Sequence, residues 1–250
     1  MGGFVLLDGE TFEVKGNWER GGKRPPFGFD FWYQPRHNVL MSSEWGTPKV
    51  FANGFNPADV EKGHYGRHIN VWDWSSHTFL QAIDLGKDSI PLEIRFLHNP
   101  DAAEGFVGCA LSGTVHRFYK TEKGDWAAEK VIEVPSKKVR GWLLPDMPAP
   151  CPLFSLQGKR VPGGPQMFQL SLDGKRLYIS SSLYSGWDKQ FYPDLVKEGS
   201  VMLQIDVDTE RGGLKVNPNF LVDFGKEPGG PALAHEIRYP GGDCTSDIWI

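Results

Sequence analysis

One pattern of strand signals recurs along this chain and restricts its fold more than any other feature. Phe29-Asp30-Phe31-Trp32-Tyr33-Gln34 reads as an apolar strand, Pro35-Arg36-His37-Asn38 as a polar turn, and Val39-Leu40-Met41-Ser42-Ser43 as a second strand. The unit returns at Leu92-Glu93-Ile94-Arg95-Phe96-Leu97 followed by residues 105–110, then at residues 166–172 and 176–182 around the turn Asp173-Gly174-Lys175, and finally at residues 234–250. Period-two hairpins alternate with these units: residues 3–18 around Asp8-Gly9, 69–85 broken at Ser75-Ser76, 115–134, and 201–224. In three of the hairpins the first strand ends in an acid, at Asp8, Asp73 and Asp206. Four strands in a fixed order, beginning near residues 29, 92, 165 and 232, predict the blades of a β-propeller. The spacing exceeds the roughly 40–50 residues of common propeller repeats, so loops are inserted between strands. A two-sheet sandwich also has many short strands, but it does not require one four-strand order to repeat. The predicted fold class is therefore all-β, a partial propeller of about four blades in one domain over residues 1–250.

Two stretches fall outside the blades. Residues 51–67 read as an inserted loop with one helical turn at 58–62, and residues 184–199 as another whose Trp187, Phe191 and Tyr192 pack down. Residues 141–164 carry Pro145, Pro148, Pro150, Pro152 and Pro162 with little alternation, and read as an irregular junction in place of a blade.

Composition excludes several functions. A hydrophobic content of 40% supports a packed core, and a net charge of −4 lacks the basic surplus of a dedicated nucleic-acid binder. No apolar run approaches the roughly 18 residues of a membrane span. Residues 1–14 are too short and too acidic for a signal peptide. Cys109, Cys151 and Cys244 form no CxxC pair, which points to a reduced, intracellular setting.

Among seven histidines, His64, His68, His77 and His116 read as ordinary loop, turn or strand residues. His37, His98 and His235 differ, because each follows or ends the first strand of a strand–turn–strand unit. In a propeller such positions converge toward the axis, where imidazoles suit a borderline or soft metal such as copper or zinc. Histidine also suits a turn start with no metal at all. Cys244 could be a soft ligand or redox thiol, or a small buried apolar residue; Cys109 reads as buried. Asp243 and Asp247 could orient an imidazole or simply serve a turn. The Gly-Gly pairs precede no helix and are not phosphate loops, and no nucleophile elbow occurs. No catalytic proton-transfer residue is legible.

The segments GGFVLLDGETFEVKGNWE, DFWYQPRHNVLMSSEW, GFNPADVEKGHYG, IPLEIRFLHNPDAAEGFVGCALSGT, GGPQMFQLSLDGKRLYISSSLYSGWDKQFYPDL and AHEIRYPGGDCTSDIWI closely resemble the selenium-binding protein / methanethiol oxidase family. The resemblance implies a seven-bladed propeller that oxidises methanethiol with O2 and water to formaldehyde, hydrogen peroxide and hydrogen sulfide. It implies copper, with His37, His98 and His235 as donors, and a small thiol and O2 as substrates. It also implies an association with selenium, although a histidine-pair motif and the selenium-linked cysteine belong to family segments not matched here. The family setting is cytoplasmic, with nuclear and peripheral membrane pools. The rival expectation is a non-catalytic propeller that binds proteins through its faces, in selenium handling or intra-Golgi transport.

Overall fold

A computed structural model describes residues 2–135, 154–164 and 166–240. Two compact units divide the chain, one drawn from residues 1–48 and 56–149, the other from residues 49–55 and 150–243.

The first unit opens with the hairpin β1 (Val5–Leu7) and β2 (Val14–Asn17). Its turn is held by Asp8, whose Oδ1 accepts from the backbone N–H of Glu10 at 3.0 Å and of Thr11 at 2.9 Å. Those two N–H groups, followed by Lys15, hold the Asp8 carboxyl down at about 2. A sheet follows in the order β3 (Phe31–Gln34), β4 (Val39–Ser43), β5 (His68–Asp73) and β6 (Thr78–Asp84), with every pair antiparallel. The insertion between β4 and β5 holds two short helices: α1 (Pro48–Phe51), whose residues 49–51 belong to the second unit, and α2 (Pro57–Glu61), capped by Asn56. The second sheet runs β7 (Pro91–Phe96), β8 (Glu104–Cys109), β9 (Thr114–Lys120) and β10 (Trp126–Glu133). The faces of these sheets share one core, in which Trp32, Met41, Val71, Ile94, Val107 and Phe118 are fully buried. Alternation selects those residues: in β9, Thr114, His116 and Phe118 point inward and Val115, Arg117 and Tyr119 do not.

The second unit contains the hairpin β11 (Phe154–Leu156) and β12 (Lys159–Val161), and the sheet β13 (Phe168–Leu170), β14 (Arg176–Ser180), β15 (Val201–Val207) and β16 (Leu214–Asp223). The helices α3 (Ser185–Phe191) and α4 (Pro193–Glu198) lie between β14 and β15. Residues 49–55 pack on α3: Gln190 Oε1 accepts from Phe55 N at 2.7 Å, and its amide nitrogen donates to Phe55 O at 2.9 Å.

Among the described residues three sheets thus have the sequential four-strand antiparallel order of a propeller blade, and two further sheets are two-stranded hairpins. The all-β expectation and all four predicted hairpins are realised. Three details differ. Within the expected junction at 141–164, residues 154–161 form the β11–β12 hairpin. The last strand–turn–strand copy forms no strand over residues 231–239. There the backbone is taken by side chains instead: Ser200 Oγ accepts from Ala234 N at 2.6 Å, Ser180 Oγ donates to His235 O at 2.7 Å, and Gln169 Nε2 donates to Ile237 O at 3.3 Å. The remainder of that copy, residues 241–250, lies outside the described residues. Finally, the acid that closes the β15–β16 turn as Asp8 does is Asp208, which accepts from Glu210 N and Arg211 N; Asp206 instead bonds the Gln204 and Asn217 amides.

Candidate functional site

The first strands of the two sheets in the first unit, β3 and β7, run side by side in step. At one end Asp30 Oδ2 accepts from Ile94 N at 3.0 Å and from the Arg95 guanidinium at 2.6 Å. The guanidinium also pairs with Glu93 and lies 4.3 Å above the Trp32 ring. At the other end the Arg36 guanidinium bonds Asp101 at 2.9 Å, and His37 Nε2 bonds the Asp101 carbonyl at 2.9 Å. His37 stands in the turn after β3 and His98 just beyond β7, so the structure brings both to the same end of adjacent strands. Because a carbonyl can only accept, neutral His37 carries its proton on Nε2 and its lone pair on Nδ1. His98 Nδ1 is sealed from solvent without a hydrogen-bond partner, and burial pushes this imidazole below its usual pKa, which keeps it neutral. Gln34, the last residue of β3, is fully buried with both amide atoms unpartnered.

His235 belongs to the second unit. Its Nδ1 lies 3.1 Å from the Ser182 carbonyl, which places the proton on Nδ1 and leaves Nε2 as the donor atom. The Ser182 hydroxyl in turn donates to Asp188 Oδ2 at 2.6 Å. Asp188 is almost fully buried, and that burial raises its carboxyl pKa against the opposing bonds from Ser182 and Leu183. The repeated tripeptide Glu-Ile-Arg separates the histidines further: His98 follows residues 93–95 by three positions, whereas His235 directly precedes residues 236–238. Cys244, Asp243 and Asp247 lie outside the described residues.

Other groups complete the inventory. Cys109 Sγ lies 3.5 Å from His116 Nδ1 in the interior. Buried Glu44 accepts from the backbone N–H groups of Arg67 and His68 and from the His68 ring at 2.9 Å. A cavity of about 550 Å3 opens in the first unit, lined by Phe4, Trp18, Asp30, Phe31, Tyr33 and Trp74 among others. Its size and lining suit a small-molecule site, but neither His37 nor His98 reaches it. Among the described residues no three His, Cys, Asp or Glu side chains cluster as a metal site. Sequence reasoning missed Gln34, Asp188 and the Asp30–Arg95 pair. The only available signal was a polar or charged residue interrupting an apolar stretch.

Known proteins resemble this chain along its whole length. The family described as "56kDa selenium binding protein (SBP56)" matches residues 1–156 and 151–250. The chain is 59% identical to a Xenopus tropicalis protein named methanethiol oxidase and 58% identical to a human protein of the same name, in each case over 100% of this chain and 66% of the relative. A mouse protein named selenium-binding protein 2 is 56% identical over the same shares. The chain therefore spans slightly less than two thirds of these relatives. The human alignment runs over 313 positions against 250 residues here, and the family match divides at residues 151–156, within the proline-rich segment. The solved structure of a hypothetical selenium-binding protein from Sulfolobus tokodaii superposes with a TM-score of 0.76 at 27% identity, covering 96% of this chain and 63% of that one. The propeller-type sheets, their loop helices and the sequence match agree, and the chain belongs to the SBP56 selenium-binding protein family.

Proposed function

We propose that this chain takes part in the oxidation of methanethiol by O2, as a copper-dependent oxidoreductase of the selenium-binding protein family. The observation that carries this reading is identity near 58% across all 250 residues to proteins named methanethiol oxidase. The proposed copper donors are His37, His98 and His235, each considered in its own unit, with Cys244 as a further soft donor.

The donor chemistry fits the metal. Histidine that ligates copper is normally neutral and turns its second nitrogen to a carbonyl or carboxylate, which fixes the ring. His37 and His235 each have one nitrogen on a backbone carbonyl, and His98 is held neutral by burial. Copper would supply a soft acceptor for the thiol sulfur and a route for electrons to O2. The chain's own residues do the rest. Asp101 O and Ser182 O lock two ring tautomers, Arg36 anchors Asp101 in position, and Asp188 holds the Ser182 hydroxyl. No selenium attachment residue is assigned. The proposed setting is cytoplasmic, with nuclear and peripheral membrane pools; among the described residues no helix is long and apolar enough to cross a membrane.

The test is turnover by the purified chain loaded with copper, read as methanethiol-dependent peroxide and sulfide release, beside copper content by mass spectrometry. Peroxide and sulfide in equal amounts support the oxidase. Stoichiometric copper without either product, at a rate below about a hundredth of a full-length relative's, would assign this chain to binding rather than catalysis. Retained binding of family protein partners in that case would favour the scaffold reading.

A further inference from the structure

We propose that the aromatic cavity of the first unit binds a methylated onium cation, a positively charged head group of the quaternary ammonium or sulfonium type. Neither His37 nor His98 lines this cavity, and the inference stands apart from the oxidase reading.

Two segments strapped together build the wall. Gly2 N donates to Pro25 O at 2.9 Å, Trp18 N donates to Phe4 O at 3.1 Å, and Phe4 N donates to the buried Glu19 carboxylate at 3.1 Å. A Cβ on Gly2 would lie 2.2 Å from the Phe27 carbonyl oxygen, so glycine is needed for the segments to close this tightly. The lining rings then form one continuous cluster. Phe4 meets Trp18 and Phe31 edge-on, each with centroids 5.4 Å apart. Trp18 leans on Trp74 at 5.9 Å, and Trp74 stacks in parallel on Tyr33 at 4.4 Å. Trp18 is pinned in turn by His77, whose ring stacks on it at 4.4 Å while its Nδ1 bonds the Trp18 carbonyl at 2.9 Å. Rings held this way do not have to be ordered when a ligand arrives. Phe31 is nevertheless 45% exposed and Leu6 42%, both on the cavity lining, and this apolar surface is what an occupant would cover.

The chemistry of the lining selects the occupant. Among the described residues that line the cavity none is lysine, arginine or histidine, whereas Asp30 is a carboxylate. Its partner Arg95 does not line the cavity, so the ion pair turns its negative end inward. Aromatic ring faces carry negative potential as well. An anion would meet only a carboxylate and ring faces. A small, tightly hydrated cation would surrender its water to rings and prolines. A methylated onium head has no N–H to satisfy and packs its methyl groups directly on ring faces, the arrangement of aromatic cages. The cavity volume of about 550 Å3 exceeds such a head group and leaves room for an organic substituent on it.

The test is titration of the purified full chain with choline, its dimethylsulfonium analogue and its uncharged tert-butyl analogue, followed by tryptophan fluorescence and proton NMR. At least one of the two cations should bind about tenfold or more tightly than the tert-butyl compound, with its methyl resonance moved upfield by the ring faces. A preference between the cations assigns the ligand to nitrogen or sulfur compounds; equal affinity means that the methylated charge alone is read. Phe31→Leu, at an exposed position, and Trp74→Leu should each weaken the cation about fivefold or more and leave the tert-butyl compound within about twofold, while Trp74→Phe, which keeps a ring, retains the cation. No saturable binding of either cation, equal affinity for charged and uncharged compounds, an unshifted methyl resonance, or wild-type cation affinity in both leucine variants overturns the proposal, and none of these results bears on methanethiol turnover.

Discussion

Cys109 Sγ lies 3.5 Å from His116 Nδ1 across the β8–β9 pair, yet the two side chains form no thiolate–imidazolium couple. Burial pushes the thiol up to about 11 and the imidazole down, the latter helped by Lys130, so both stay uncharged near neutrality. A thiol held above its unfolded value of 9.0 stabilises the fold below about pH 9, and that contribution is lost as pH rises toward 11. Alkylation of Cys109 by iodoacetamide at about pH 8 should be at least tenfold slower than in the urea-unfolded chain, measured by mass spectrometry of the peptide that contains it. Equal rates in both states would contradict the buried neutral pair.

The Asp30–Arg95 ion pair ties β3 to β7 with both side chains about one-tenth exposed. Arg95 also pairs with Glu93, so removing Arg95 strips the cation from two buried carboxylates, and breaking a buried pair in this way typically costs about 3–5 kcal/mol. Arg95→Met should lower the urea midpoint accordingly. Asp30→Asn should lose less, because its amide oxygen still accepts from Ile94 N. The double variant should be more stable than the two single losses added together.

Gly105 in β8 is required for space. A Cβ there would sit 2.2 Å from the Arg95 carbonyl oxygen and 2.4 Å from the Phe118 ring. One neighbour is rigid backbone and the other a fully buried core ring, so neither can yield cheaply. Gly105→Ala should destabilise the first unit by about 3 kcal/mol or more by denaturant titration, whereas Gly108→Ala, with open space at its Cβ, should change it by less than about 1 kcal/mol.

Asp188 is a buried carboxyl whose raised pKa makes its stabilising effect greatest at low pH, below the unfolded value of 3.8, with loss as pH rises through the folded value. The fold should therefore gain at neutral pH when the charge is removed with shape kept. Asp188→Asn should match or exceed wild type in thermal melting at about pH 7. Asp188→Leu should fall below it by about 1–3 kcal/mol, because the Ser182 hydroxyl loses its acceptor.

Copper retention offers the sharpest check on the proposed donors. His37→Ala, His98→Ala and His235→Ala should each reduce bound copper at least tenfold by mass spectrometry, with an unchanged far-ultraviolet spectrum, while His64→Ala should retain it. Full copper in any of the first three removes that residue from the donor set.

The strands and their local order were legible in the residues alone. Period-two alternation, Asp-centred turns and the proline and glycine breaks are short-range physics, and they read out correctly as hairpins and as three four-stranded sheets. The family was legible too, because long motifs survive intact. What the polar residues do was settled later, by the packing of one sheet on another. Asp30 meets Ile94 and Arg95 across 64 and 65 residues, His37 meets Asp101 across 64, and His235 is held by Ser182 across 53. Over residues 231–239, where no strand forms, the contacts are likewise long-range: Ser200, Ser180 and Gln169, distant in sequence, hold backbone groups of Ala234, His235 and Ile237. A side chain's periodicity reports which face it occupies; its partner depends on which other strand arrives there, and that is set by packing between sheets rather than by any local pattern.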